Sequence, residues 1–381
     1  MATPAPVRVA AFFAAWLTDE LSIHLLVADV AVTGLLVWKG GLATPMGQVG
    51  LALSCLSWVG FALLIHRAGA ARAAMEQALS GHATFDSELP TLHLVVPFPV
   101  RRFGVTKTGN LPFHGEGRAV LRLDVHRTEG PASRRPVLIY VHGGAWVIGQ
   151  RQYQGLPLMQ HLASRGWVCF SIDYRLSPRA TFPDHVVDVK RAIAWVKAHA
   201  AEYGGDPSFV ALSGNSAGGH LAALAALTPD DAAFQPGFED ADTHVQACVP
   251  FYGIYDFVDR HRHWPDGGMR VFLERLVMKV TLKEARAAFD AASPIARVHA
   301  EAPPFLVVHG TGDSLVPVAE ARRFFEALGA VSKASVAYAE IPGAQHAFEV
   351  FPSRRTAAVV AGATAFLESE VRKQRAETGH A

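Results

Sequence analysis

The chain has 381 residues and a formal net charge of +1, so it shows neither the basic footprint of a nucleic-acid binder nor a bias toward acidic partners. That length accommodates one large α/β domain and an additional region. Hydrophobic residues make up 50% of the chain, with the excess gathered at the N-terminus. Cys55, Cys169 and Cys248 are scattered through apolar stretches and read as small buried hydrophobes rather than a disulfide framework or a metal site.

Residues 7–17 are apolar but short, contain Arg8, and are not followed by a small-residue cleavage site, which argues against a signal peptide. Two longer apolar segments follow: residues 21–38, interrupted by His24 and Asp29, and the uncharged residues 49–65. Lys39-Gly40-Gly41 and Pro45 separate them. Each approaches the roughly 20 residues needed to span a bilayer. Asp29 would cost about 2.5–3.5 kcal/mol at a helix centre, which the flanking leucines and valines can offset. The preferred reading is a membrane hairpin, favoured by glycine and tryptophan content and by Arg67 and Arg72 just beyond the second segment. The alternative is a pair of buried cap helices over the catalytic domain. From Arg67 to about Ser87 an Ala-rich amphipathic helix is expected as a connector. The division is thus residues 1–86 and a catalytic domain over 87–381.

Beyond the connector, short runs rich in Val, Ile and Leu occur at 92–97, 119–125, 137–141, 167–172, 209–213, 246–251, 305–309 and 334–340. From 137 onward they alternate with helix-length segments such as Pro183–Ala201 and Val318–Gly329. That is an α/β pattern: a mostly parallel sheet of about eight strands with helices on both faces. Residues 257–290 interrupt the alternation; a helix is expected around Val271–Val280, and the insertion is placed to act as a lid.

The chemistry begins at Gly214-Asn215-Ser216-Ala217-Gly218, a G-x-S-x-G pattern between an apolar strand and the start of a helix. In that setting it reads as a nucleophile elbow, with Gly214 and Gly218 giving room where chains pass closely. Alone the pattern is weak, since a glycine-rich turn produces it too. A serine hydroxyl needs a histidine to take its proton and a carboxylate to hold the histidine's tautomer. After the strand Phe305–His309, Asp313 sits in the turn before the next helix; after the strand Val336–Ile341, His346 sits on a loop. Ser216, Asp313 and His346 follow in the order expected of this architecture. Asp256, one strand early, and His309, ahead of the acid, are the rivals.

Acyl transfer also needs donors aimed at the developing oxyanion. The strand Val137–Val141 is followed by His142-Gly143-Gly144-Ala145-Trp146, where the two glycines let backbone N–H groups turn inward. A plain strand-exit turn is the bland alternative, but its place upstream of the elbow matches an HGGG-type oxyanion loop.

With these motifs, Asp173-Tyr174-Arg175-Leu176-Ser177-Pro178 and His346-Ala347-Phe348, the chain resembles the α/β-hydrolases of the hormone-sensitive-lipase-like esterase group, including membrane-associated lipases and esterases of actinobacteria. The resemblance spans about 137 to 348. It implies a serine carboxylesterase or lipase without cofactor or metal, with Ser216, Asp313 and His346 as triad and Gly144, Ala145 and Ala217 as oxyanion donors. It departs from the group at Ala145, where a third glycine is usual, and at Asn215, where Asp is common. Asp173 and Arg175 are expected to pair with each other, and His220 to be a helix residue beside the elbow. Ala145 and Trp146 are expected to crowd the site, favouring short-to-medium acyl esters. An amide or aryl-formamide hydrolase would use the same groups, and a hydrolase-fold receptor without catalysis is the remaining alternative. The expected partners are a small-molecule or lipid ester and a membrane, not nucleic acid.

Overall fold

The computed structural model describes residues 5–83, 102–115, 117, 120–130, 134–264 and 266–379. Four helices come first: α1 (Ala5–Glu20), α2 (Ser22–Trp38), α3 (Pro45–Ala68) and α4 (Ala70–Ala78). The sheet is built from β1 (Val105–His114), β2 (Leu121–Thr128), β3 (Arg135–Val141), β4 (Val168–Ile172), β5 (Gly205–Asn215), β6 (Ala247–Phe251), β7 (Phe305–Gly310) and β8 (Val336–Ile341). Between strands run α5 (Leu156–Ser164), α6 (Asp184–His199), α7 (Ala217–Ala226), the short α8 (Gly268–Phe272) and α9 (Arg286–Ala291), and α10 (Ala319–Val331); α11 (Arg354–Thr378) closes the chain. The strand order is β1-β2-β4-β3-β5-β6-β7-β8. β1–β2 and β2–β4 are antiparallel and every other pair is parallel. This is the α/β-hydrolase sheet.

The continuous apolar runs follow from burial on both faces. In β3, Val137, Ile139 and Val141 join the core under α6, α7 and α10, while Leu138 and Tyr140 join the core under α4, α5 and α11. β1 escapes an apolar-run search because Val105-Thr-Lys-Thr-Gly-Asn-Leu-Pro-Phe-His114 is an edge strand, mostly exposed and carrying register shifts. Edge strands of this polar, Pro-bearing kind resist pairing with other chains. The run at 92–97 and the boundary at 86/87 lie outside the described residues.

α4 is more than a connector. Ala71, Met75 and Leu79 are fully buried, and Met75 lies so close to Gly362 of α11 that a Cβ there would come within 2.3 Å of its Cε. Burying Met and Leu side chains contributes about 1.5–3 kcal/mol each, so α4 is part of the layer that covers this face of the sheet.

Upstream, α2 and α3 form a hairpin turning through Gly40, at φ +87°, and started again by Thr44, whose hydroxyl accepts from Gly47 N–H at 3.1 Å. Thr33 Oγ1 meets Ser54 Oγ at 3.0 Å across the hairpin, with the Asp29 carboxylate accepting beside them. The apolar side chains of this hairpin are not covered by the rest of the chain: Val27, Val32, Leu36, Met46, Leu53, Leu56 and Val59 are exposed. The Pro45–Ala78 run, 34 residues, is long and apolar enough to cross a membrane; α2 reaches that test only together with α1, from which it is bent by 78°. Cys169 and Cys248 are buried as expected, but Cys55, on α3, is exposed with its neighbours.

Candidate active site

Ser216 stands between β5 and α7 at φ 53°, ψ −120°, a conformation that L-residues hold only under constraint. The constraint is visible in its flanking glycines. A Cβ on Gly214 would meet Val141 O at 2.6 Å, and one on Gly218 would meet it at 2.1 Å. The Ser216 N–H donates to Phe251 O at 2.9 Å, pinning the turn to β6.

The two loops predicted to face the serine do so. His346 Nε2 lies 2.9 Å from Ser216 Oγ, and His346 Nδ1 lies 2.7 Å from Asp313 Oδ2. Asp313 Oδ1 accepts the N–H groups of Leu315 and Val316 at 2.9 and 2.8 Å. Burial alone would raise the Asp313 carboxyl; the neighbouring His346 charge and the hydrogen bonds from His309 and His346 outweigh it and hold it well below the usual carboxylate range. A carboxylate kept ionised in this way fixes the Nδ1–H tautomer of His346.

The rivals have other work. Asp256 pairs with Arg260 and accepts from Val258 N–H at 3.2 Å. His309 is fully buried on the far side of the acid, its Nε2 3.1 Å from Asp313 Oδ2 and 3.0 Å from Val316 O. Gln345 was not singled out from the sequence. Its Oε1 accepts from Ser314 N–H at 2.7 Å and His346 N–H at 2.9 Å, tying the acid loop to the histidine loop.

The loop after β3, where oxyanion donors are expected, takes positive φ at three successive residues, Gly144 (122°), Ala145 (53°) and Trp146 (60°). Gly144 is obligatory there, because a Cβ would sit 2.0 Å from Ile148 O. Its carbonyl accepts from Val147 and Ile148 N–H at 3.0 and 2.9 Å, closing a tight turn. The Gly143 N–H is shared between Asn215 Oδ1 and Gln154 Oε1, each at 2.7 Å. His142 is buried, with its Nδ1 2.8 Å from Gly143 O, and burial pushes its pKa down to about 4. It is neutral at neutral pH and serves as scaffold. The loop after β3 runs directly beside the nucleophile: a Cβ on Gly143 would lie 3.1 Å from Ser216 Cβ, and Ala217, the residue after Ser216, begins α7.

Three expectations need correction. Trp146 does not crowd the site: it is turned into the core, its indole N–H donating to His220 Nδ1 at 3.2 Å and its ring edge-on to Phe257. Asp173 and Arg175 do not pair with each other. Arg151, from the loop after the oxyanion turn, takes Asp173 at 2.5 Å and Asp124 at 3.0 Å, while Arg175 takes Asp188 at 2.7 Å and Asp184 at 3.0 Å. Both residues are structural, through partners that are distant in sequence. The 257–290 insertion is packed in place: Phe257, Trp264, Leu273, Val277 and Phe289 are buried in the same core as Trp146, and the helix expected over Val271–Val280 is α8 followed by a single π-turn, Leu273–Val277. His220 is, as expected, a residue of the helix beside the elbow, α7; it is also buried and donates to Ala292 O at 2.8 Å, and burial pushes its pKa down to about 3.

The N-terminus also reaches the site. The Phe12 ring of α1 is edge-on to His346 at 6.2 Å, and the Trp16 indole N–H donates to Ala347 O at 2.8 Å. Glu20, at the end of α1, is buried with Arg355 and Ser353 at the start of α11.

Residues 123–328 match the BD-FAE family model. The chain belongs to the BD-FAE family, a group of α/β-hydrolase esterases. Among curated proteins it is 48% identical over 286 residues to the probable carboxylic ester hydrolase LipM of Mycobacterium tuberculosis, covering 74% of this chain and 66% of that protein. It is 48% identical over 274 residues to esterase LipQ of the same organism, covering 71% of this chain and 64% of that one. The chain therefore spans just under two thirds of the length of these relatives. Among solved structures, the butyrate-bound thermophilic esterase Est2 of Thermogutta terrifontis is similar with a TM-score of 0.57 and 28% identity, covering 73% of this chain and 95% of that one.

Proposed function

We propose that the chain hydrolyses carboxylic esters through an acyl-serine intermediate. The observation that carries this reading is the aligned pair of hydrogen bonds at His346, 2.9 Å to Ser216 and 2.7 Å to Asp313. Ser216 Oγ attacks the ester carbonyl while His346 Nε2 takes its proton, and the same proton passes to the leaving alcohol. Asp313, ionised and acceptor to Nδ1–H, stabilises the imidazolium. The N–H groups of Gly144, Ala145 and Ala217 receive the oxyanion, a contribution of about 2.7–4 kcal/mol for one donor. Water, activated by His346, then releases the acid and restores the serine. The BD-FAE membership and the ester hydrolases among its relatives support an ester over an amide as substrate.

Short-to-medium acyl groups are the proposed substrates. Trp146 no longer supports this; the butyrate bound to the similar Est2 does, as does Phe12, which occupies space beside His346. Turnover across p-nitrophenyl esters from acetate to palmitate, with a matched anilide, tests both points. Butyrate or hexanoate esters should lead; faster palmitate cleavage would overturn the chain-length reading, and an anilide cleaved faster than its ester would replace it with an amide hydrolase. The exposed apolar α2–α3 hairpin supports membrane association, with α1 lying between the bilayer-facing hairpin and the histidine loop.

A further inference from the structure

Beneath the oxyanion loop lies a buried polar cluster that the triad mechanism does not use. Gly143 N–H donates to Asn215 Oδ1 at 2.7 Å, and Asn215 Nδ2 donates to the Tyr252 hydroxyl at 3.3 Å. The Tyr252 hydroxyl donates in turn to Glu349 Oε2, and Tyr140 donates to Glu349 Oε1 at 3.4 Å. Asn215, Tyr252, Glu349 and Tyr140 are all buried, so each polar atom needs a partner inside the fold. The Tyr252 ring also lies 4.5 Å from the His346 ring, tilted by 57°, so one side chain packs on the histidine with its ring and joins the cluster with its hydroxyl.

We propose, resting on the acyl-serine reading above, that Asn215, Tyr252 and Glu349 form a one-way hydrogen-bond chain that positions the oxyanion loop through Gly143. The direction follows from donor counting. A tyrosine hydroxyl has one hydrogen, and here it goes to Glu349. Residue 215 must therefore accept from Gly143 with one atom and donate to Tyr252 with another. An amide does both; a carboxylate only accepts. Asn215→Asp would leave two carboxylates facing a single hydroxyl hydrogen, a contact satisfied only if one of them holds a proton. The charged and titratable groups facing Glu349 are Tyr252, Tyr140 and His346, and burial raises its carboxyl, so Glu349 is the group that would take that proton.

Glu349→Gln removes the conflict, because a glutamine amide can turn to meet Tyr252 with either its oxygen or its nitrogen. Asn215, Tyr252 and Glu349 are positioning residues: they act on the loop and the histidine, not on the ester.

The test is kcat and KM for p-nitrophenyl butyrate with the full chain and its N215D, E349Q and N215D/E349Q variants, from about pH 6 to about pH 9. N215D should lower kcat about tenfold or more with little change in KM, the size expected of an unsatisfied buried group, and the loss should grow as pH rises. In the E349Q background the same substitution should cost much less and lose its pH dependence. If N215D does not fold, Y252F replaces it: taking away the hydroxyl that Asn215 meets should lower kcat with little change in KM, whereas E349Q alone, whose new amide oxygen still accepts the Tyr252 hydrogen, should change kcat little. Losses of N215D and E349Q that simply multiply, an N215D loss that is flat with pH, or a Y252F kcat equal to that of the unchanged chain would overturn the proposal. Should Ser216→Ala retain turnover, the acyl-serine reading itself fails; a lack of rescue with Ser216 still essential discards only the chain.

Discussion

Two parts of this molecule are equally apolar and end in opposite environments. β3 and β5 carry Val, Leu and Ile that are 0% exposed beneath helices on both faces, whereas Met46 and Leu56 on α3 are 79% and 68% exposed. The difference lies in what is available to cover them. A strand inside a parallel sheet is sandwiched by its own crossover helices, while α2 and α3 pack on each other, with α1, α4 and α11 touching them but leaving much of their apolar surface uncovered. An apolar run therefore states a need for cover, not its source. In the sheet the source is the chain, and the dry strand ends hold Ser216, Asp313 and His346 within hydrogen-bond reach. At the hairpin we propose that the source is a bilayer.

The comparison breaks most sharply at the sheet. Ser216→Ala and His346→Ala should each reduce turnover of p-nitrophenyl butyrate by several orders of magnitude, on the order of 10⁶, and their effects should not add. Circular dichroism unchanged beside near-normal activity in either variant would remove the triad. Asp313→Asn, nearly isosteric, should cost on the order of 10⁴ in kcat, because the amide presents the wrong partner to Nδ1–H. Asp256→Asn should be mild, since Asp256 is engaged with Arg260 rather than the histidine.

The hairpin is probed by extraction and truncation. Full-length protein should remain with membranes through high-salt and carbonate washing; recovery in the soluble fraction without detergent would return α2 and α3 to the role of soluble helices. A chain beginning near Ser87 lacks α4 as well as the hairpin. The burial of Met75 and Leu79 means its melting temperature should fall, at a cost on the order of several kcal/mol. A chain beginning at Gly69 keeps α4 and should be the more stable of the two. Equal stability would show that α4 contributes nothing to the covering layer.

The triad was legible in the sequence because each member follows a strand whose apolar run is unmistakable, and the order of loops is fixed by the fold. The oxyanion glycines were legible for the same reason. β1 was not, since a polar edge strand buries too little to leave a pattern. Nor were Gln345, Arg151 or Phe12: Arg151 reaches Asp173 from 22 positions away and Phe12 reaches His346 from the other end of the chain, so only the folded geometry joins them. Trp146 was misjudged because a sequence names a loop residue without saying which way its side chain turns.

A smaller and more gradual effect concerns pH. Burial lowers the pKa of His142 and His185 to about 4 and of His220 to about 3, from an ordinary 6.5. Below about 6.5 the unfolded chain binds protons that the native histidines refuse, so stability should fall as pH drops toward 4 and stay level from this source above 7. The melting temperature across that range checks the sign; a rise on acidification would contradict the neutral, buried assignment of these three groups.

The most direct test of the central claim is titration with a fluorophosphonate, followed by mass analysis of the labelled peptide. An acyl-serine hydrolase should take up one phosphonyl group per chain, on Ser216, with activity lost in proportion and no uptake by Ser216→Ala. A chain that hydrolyses esters yet remains unlabelled, or is labelled at another residue, would contradict the mechanism.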